Sequence, residues 1–192
     1  MLTLSQPRYR LAGTLAMLNA LLTIPWFIVT FLLTDREWAW LKLAEAFMQT
    51  SSVLIFIFTS LSLKKLLNIA HGFHETDRHI LWLIKLNFVL LAVSLTGLIS
   101  PSFASSAGIV SLLFVVPLGV VQLLLGVKLQ KLPSDLGGLL RPYCYLNMVT
   151  GFSLAAIILL PLGILTGAIA DIMLGTIFFQ SAVPGRLVDT EV

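Results

Sequence analysis

Apolar residues in this chain are gathered into long runs rather than alternating with polar ones. Six stretches stand out: Leu11–Leu33, Leu41–Leu63, Ile80–Ile99, Gly108–Val127, Tyr143–Leu160 and Pro161–Ser181. Each approaches or exceeds the roughly 20 residues that an α-helix needs to cross a hydrocarbon core about 30 Å thick. Short polar segments separate most of them. The pattern predicts an all-α integral membrane protein, a bundle of six transmembrane helices forming a single domain over residues 1–192.

The last two stretches adjoin. Read as one helix they would extend about 60 Å, twice the core thickness. A hairpin turning at Leu160-Pro161-Leu162-Gly163 is therefore predicted. Proline suits a first helical turn and glycine permits a tight bend. The first stretch follows Arg8 and Arg10, is too long for the apolar region of a signal peptide, and has no small-residue cleavage motif after it. It reads as a retained span.

Basic residues set the expected orientation. Arg8 and Arg10 precede the first span, Lys64, Lys65 and Arg78 lie between the second and third, and Lys128, Lys131 and Arg141 lie between the fourth and fifth. Arg186 lies in the tail, whereas the alternate loops hold the net acidic Asp35-Arg36-Glu37 and the uncharged Ser100–Ala107. Both termini are thus expected in the cytoplasm. Trp38 and Trp40 would mark the outer interface, and Tyr9, Trp82, Tyr143 and Tyr145 the inner one.

Composition agrees with a membrane setting. The hydrophobic fraction is 58% and the charged fraction 11%, less than half the charge of a typical soluble domain. Mean hydropathy is +0.99. The net charge of +3 follows the positive-inside distribution and needs no nucleic-acid partner. The single cysteine, Cys144, excludes an intrachain disulfide and reads as buried packing. A weak repetition is also present: Leu18-Asn19, Leu86-Asn87 and Leu146-Asn147 occupy equivalent places in alternate spans, suggesting three related helical hairpins.

Polar groups inside spans are costly and are the first candidates for a site. Asp171 falls near the middle of the last span, on a small-residue stripe with Gly163, Gly167 and Gly175 at i+4 spacing. Such a stripe predicts close helix packing, with a route to homo-oligomers through Gly163 and Gly167. Asn19, Asn87, Asn147 and Gln122 are expected in the inner half of their spans, and Lys85 a turn or so inside the third. With Asp171 they form a candidate polar layer for a ligand or ion, or interhelical hydrogen bonds. Lys85 would either snorkel to headgroups or pair with Asp171. Glu45, with Gln49 one turn on and Lys42 close by, reads as a solvated interfacial cluster. Pro25 and Pro117 are expected to kink their spans.

The loop Ala70–His79 holds all three histidines, His71, His74 and His79. On a helix, His71, Glu75 and His79 would share a face able to hold a transition metal, but Gly72 weakens that helix. A solvated loop with Asp77 capping the third span is the simpler expectation. No span contains a histidine for haem, no second histidine cluster accompanies the loop, and Gly-rich phosphate loops are missing. No cofactor is implied.

The expected function is that of a non-enzymatic protein of a bacterial inner membrane, binding a membrane partner, lipid or small apolar ligand in an accessory or sensor role. The alternative is a small transporter or channel subunit using Asp171 and the Asn/Lys layer. A membrane enzyme using the histidine loop is the third.

Overall fold

A computed structural model describes residues 6–32 and 39–183. Leu33, Asp35-Arg36-Glu37, Trp38 and Arg186 lie outside the described residues. Six helices make up the fold: α1 (Gln6–Leu32), α2 (Ala39–His71), α3 (Asp77–Ile99), α4 (Pro101–Leu129), α5 (Leu140–Ala155) and α6 (Leu160–Ser181). No strand occurs among the described residues. Five of the helices, all but α5, are long and apolar enough to cross a membrane. α5 has 16 residues and rises only about 24 Å.

Several boundaries differ from the sequence expectation. The α5–α6 hairpin turns at Ala156–Leu159, a few residues earlier than predicted, and Pro161 falls inside the first turn of α6. The locked φ of proline favours that position, so the bend must precede it. Ser100–Ala107 is not a loop: Pro101 starts α4 directly after Ser100, and the small residues that follow continue the helix. α1 and α4 continue as helices through Pro25 and Pro117.

Neighbouring helices are antiparallel and close into a ring. Each packs on its neighbours in the chain, and α1 closes the circuit against α6. Among the described residues, no helix backbone closely approaches that of a helix across the ring. The start of α1, the end of α6 and the α2–α3 and α4–α5 connections therefore share one end, here the terminal end. The other is the distal end.

Two contacts show how the sequence permits ring closure. Between α1 and α6, a Cβ on Gly13 would stand 3.0 Å from the Gly175 carbonyl, and one on Gly175 would stand 3.0 Å from the Gly13 carbonyl. Between α4 and α5, a Cβ on Gly119 would stand 2.5 Å from the Gly151 carbonyl. Backbones approach this closely only where side chains are missing, the usual device of helix pairs in lipid.

The terminal half is filled. Tyr9, Leu66, Ile80, Leu129, Cys144 and Phe178 are all buried in one continuous core. Tyr9 stacks on Phe178 with ring centroids 6.0 Å apart. Tyr9 and Tyr143 are thus core residues rather than members of an interfacial belt, whereas Trp40, Trp82 and Tyr145 are exposed. The distal half is packed differently and contains a cavity.

Candidate binding cavity

A cavity of about 730 Å³ lies among α1, α2 and α3 and reaches Ser111 of α4 and Ile164 of α6. Most of its wall is aliphatic or aromatic, with Leu22 and Trp26 from α1, Phe47 and Met48 from α2, and Leu90 and Leu91 from α3. Polar side chains also border it, and two sets of them are organised alike.

At the end nearer the packed core, Asn19 Nδ2 donates to Asp171 Oδ2 at 2.8 Å. Ser52 Oγ donates to Asn19 Oδ1, also at 2.8 Å. Three helices, α6, α1 and α2, are joined by this relay. Toward the distal end, Gln49 Nε2 donates to Glu45 Oε1 at 3.1 Å, and Ser94 Oγ donates to Gln49 Oε1 at 2.7 Å. Each relay runs carboxyl, carboxamide, hydroxyl. The carboxamide serves as donor at one end and acceptor at the other, which fixes its orientation. Asn19, Ser52, Glu45, Gln49 and Ser94 all border the cavity, whereas Asp171 stands behind Asn19.

The residues expected to form one polar layer are divided. Asp171 and Asn19 come together, and Asn87 borders the same cavity while donating to the Leu83 carbonyl of its own helix at 2.9 Å. Asn147 and Gln122 meet elsewhere, between α5 and α4. There Asn147 donates to the Tyr143 carbonyl at 2.9 Å and approaches Gln122 at 3.5 Å. Lys85 is exposed, its Nζ 5.4 Å from the centre of the Trp82 ring, and its described contacts do not include Asp171. Asparagines separated by whole spans sit at similar depths but on different faces of the ring, so depth did not bring them together.

The glycine stripe of α6 also divides. Gly163 faces Ser153 and Leu154 of α5, Gly167 faces Thr150 of α5, and Gly175 faces α1. Each i+4 step advances the face by about 40°, so twelve residues carry the stripe from one neighbour to the next. The Gly163/Gly167 face is occupied within the chain by α5. Thr150 donates to the Thr166 hydroxyl at 2.8 Å along the same seam.

The histidines do not share a helix face. α2 stops at His71, residues 72–76 turn, with Gly72 at φ +60, and α3 starts at Asp77. No group of three His, Cys, Asp or Glu residues able to hold a metal occurs among the described residues. Asp77 does not act as the side-chain cap; Thr76 holds the N-cap position without a side-chain bond. Asp77 instead ties the loop back to α2, with its carboxylate 3.5 Å from Lys64 Nζ and 3.1 Å from Asn68 Nδ2. Glu75 reaches Lys128 and Lys131 at 3.6 and 3.8 Å, linking the α2–α3 and α4–α5 connections.

Ser52 and Ser94 carried no signal in the sequence, because a serine in an apolar helix most often bonds its own backbone. Glu45 and Gln49 were visible as an i,i+4 pair, but their common orientation toward a cavity was not. Comparison with family models, curated proteins and solved structures finds no match to this chain. Its function is therefore argued from the cavity alone.

Proposed function

We propose that the chain is a non-enzymatic membrane protein that holds a small, largely apolar ligand in the distal half of its bundle. The cavity carries this reading. Its volume falls within the range of about 300–1,000 Å³ typical of small-molecule sites, and its wall joins an apolar lining to polar groups, five of which are held in two hydrogen-bonded relays. Its chemistry favours holding over turnover. The Ser52 and Ser94 hydroxyls donate to carboxamide oxygens rather than to a base, so neither is activated as a nucleophile.

The reading places the chain in a bacterial inner membrane with six spans and both ends in the cytoplasm, in an accessory or sensor role beside a membrane partner. Support for six comes from α5 with the turn after it, which lengthens the shortest crossing. Support for the orientation comes from the gathering of Arg8, Lys64, Arg78, Lys128 and Arg141 at the terminal end. A reporter fused after His74 that is active only outside the cytoplasm would reverse that orientation.

Binding is tested on the protein in lipid nanodiscs with a neutral, environment-sensitive fluorescent probe. Saturable binding is expected in the wild type and its loss in Val53→Trp and Leu91→Trp, which fill the cavity. Unchanged saturable binding in both filled variants would overturn the assignment.

One observation favours a second reading, a small transporter. The relay from Asp171 through Asn19 to Ser52 couples a carboxyl on α6 to the cavity wall, as coupling sites in transporters require. Flux into liposomes that persists in Asp171→Ala would remove it.

A further inference from the structure

The polar groups at the cavity include a carboxylate but, among the described residues, no cationic side chain. Among the described residues, Glu45 is the only charged one that borders it, and no Lys, Arg or His does so. The hydroxyl protons of Ser52 and Ser94 are already committed to Asn19 and Gln49. What these side chains can still offer a ligand is lone pairs on the two serine oxygens and on the Glu45 carboxylate, which takes one bond from Gln49 and has room for more. These acceptors lie beside the carboxylate, and a second carboxyl, Asp171, stands one residue behind the wall.

Glu45 is not neutralised within the described residues. The ion pairs found there lie at the terminal end, around Asp77 and Glu75, and none involves Glu45. Lys42, three residues earlier on α2, does not border the cavity. Trp26 and Phe47 do border it, and aromatic faces attract organic cations. An anion seated here would meet a carboxylate in a low-dielectric setting, where like-charge repulsion is strongest.

We infer that the ligand of this cavity is a lipophilic organic cation, an amine or a quaternary onium, with its charge at Glu45 and its apolar body against the walls of α1, α2 and α3. This deepens the binding reading above and rests on it. Glu45 supplies the countercharge. Gln49 and Ser94 hold that carboxyl in place from α2 and α3, and Ser52 and Asn87 meet the opposite end of the ligand.

The experiment uses two ions of matched size and opposite charge, tetraphenylphosphonium and tetraphenylborate, each competed in nanodiscs against the neutral fluorescent probe. The phosphonium is expected to displace the probe and the borate to fail. Glu45→Gln is expected to weaken phosphonium binding on the order of tenfold or more relative to that of the neutral probe, because the substitution removes charge and keeps an acceptor for Gln49. A cooperative unfolding transition close to that of the wild type shows that the variant is folded. Equal displacement by the two ions, or phosphonium affinity unaltered in Glu45→Gln, overturns the inference. If the neutral probe binds and the phosphonium does not, the inference falls and the binding reading stands. If neither binds, both fall.

Discussion

Asn19 and Asp171, separated by 152 positions in the chain, meet across the α1–α6 seam at 2.8 Å. Six residues before Asn19 and four after Asp171, Gly13 and Gly175 bring the same two backbones together. The close approach and the polar contact therefore belong to one seam, and that seam closes the ring. It also carries the link to the cavity, since Asn19 is the residue through which Asp171 reaches Ser52.

The first prediction concerns this pair. Asn19→Leu should destabilise the protein by about 1–3 kcal/mol, because it leaves the Asp171 carboxyl without its donor. The same change made in an Asp171→Leu background should cost markedly less. Unfolding of the four proteins in mild detergent measures the coupling, expected near 1 kcal/mol. Simple additivity of the two substitutions would mean that the hydrogen bond is not formed.

Glycines at the seams should be far less tolerant than glycines elsewhere. Gly119→Leu and Gly151→Leu would each force α4 and α5 apart and should lower stability by about 1–3 kcal/mol or more. Gly108→Ala meets nothing within 4 Å and should be neutral or slightly stabilising. Thermal unfolding of the three variants side by side checks the contrast.

Lys85→Met should change stability by no more than about 0.5 kcal/mol, since the side chain is exposed and its described partner is the Trp82 ring. Neutral-probe binding should also be unaffected. Loss of binding in this variant would place Lys85 at the site after all.

Cys144 has no exposed surface, so a membrane-permeant maleimide should leave it unmodified in the folded protein and label it after denaturation. Rapid labelling of the native protein, followed by mass spectrometry, would show the terminal half to be more open than the packed core around Cys144 implies.

The loop pairs should contribute little. Glu75→Gln removes contacts with Lys128 and Lys131, all three side chains being substantially solvated, and should cost less than about 1 kcal/mol. Added salt should shrink the difference further, which unfolding at two ionic strengths tests.

The candidate site was only half visible in the chain. Asp171 and Asn19 drew attention because polar groups in an apolar run are rare, and they do meet. Asn147 and Lys85 drew the same attention and lie elsewhere, one between α4 and α5 and one on the exterior. The difference lies in rotation about the helix axes, which hydropathy along the chain does not encode. Ser52 and Ser94 were silent because their partners stand on other helices.

By itself, the sequence determined the helical character, the alternation of helix direction and the gathering of basic residues at one end. Each is a property of consecutive residues: apolar runs of a given length must satisfy their backbone internally as helices, and short connections force neighbours to run antiparallel. Tertiary structure decided that α1 closes against α6, that the terminal half is filled and that the distal half holds a cavity among α1, α2 and α3. Those outcomes depend on which glycines and large side chains face one another across the ring, a matter of volumes contributed by residues far apart in the chain.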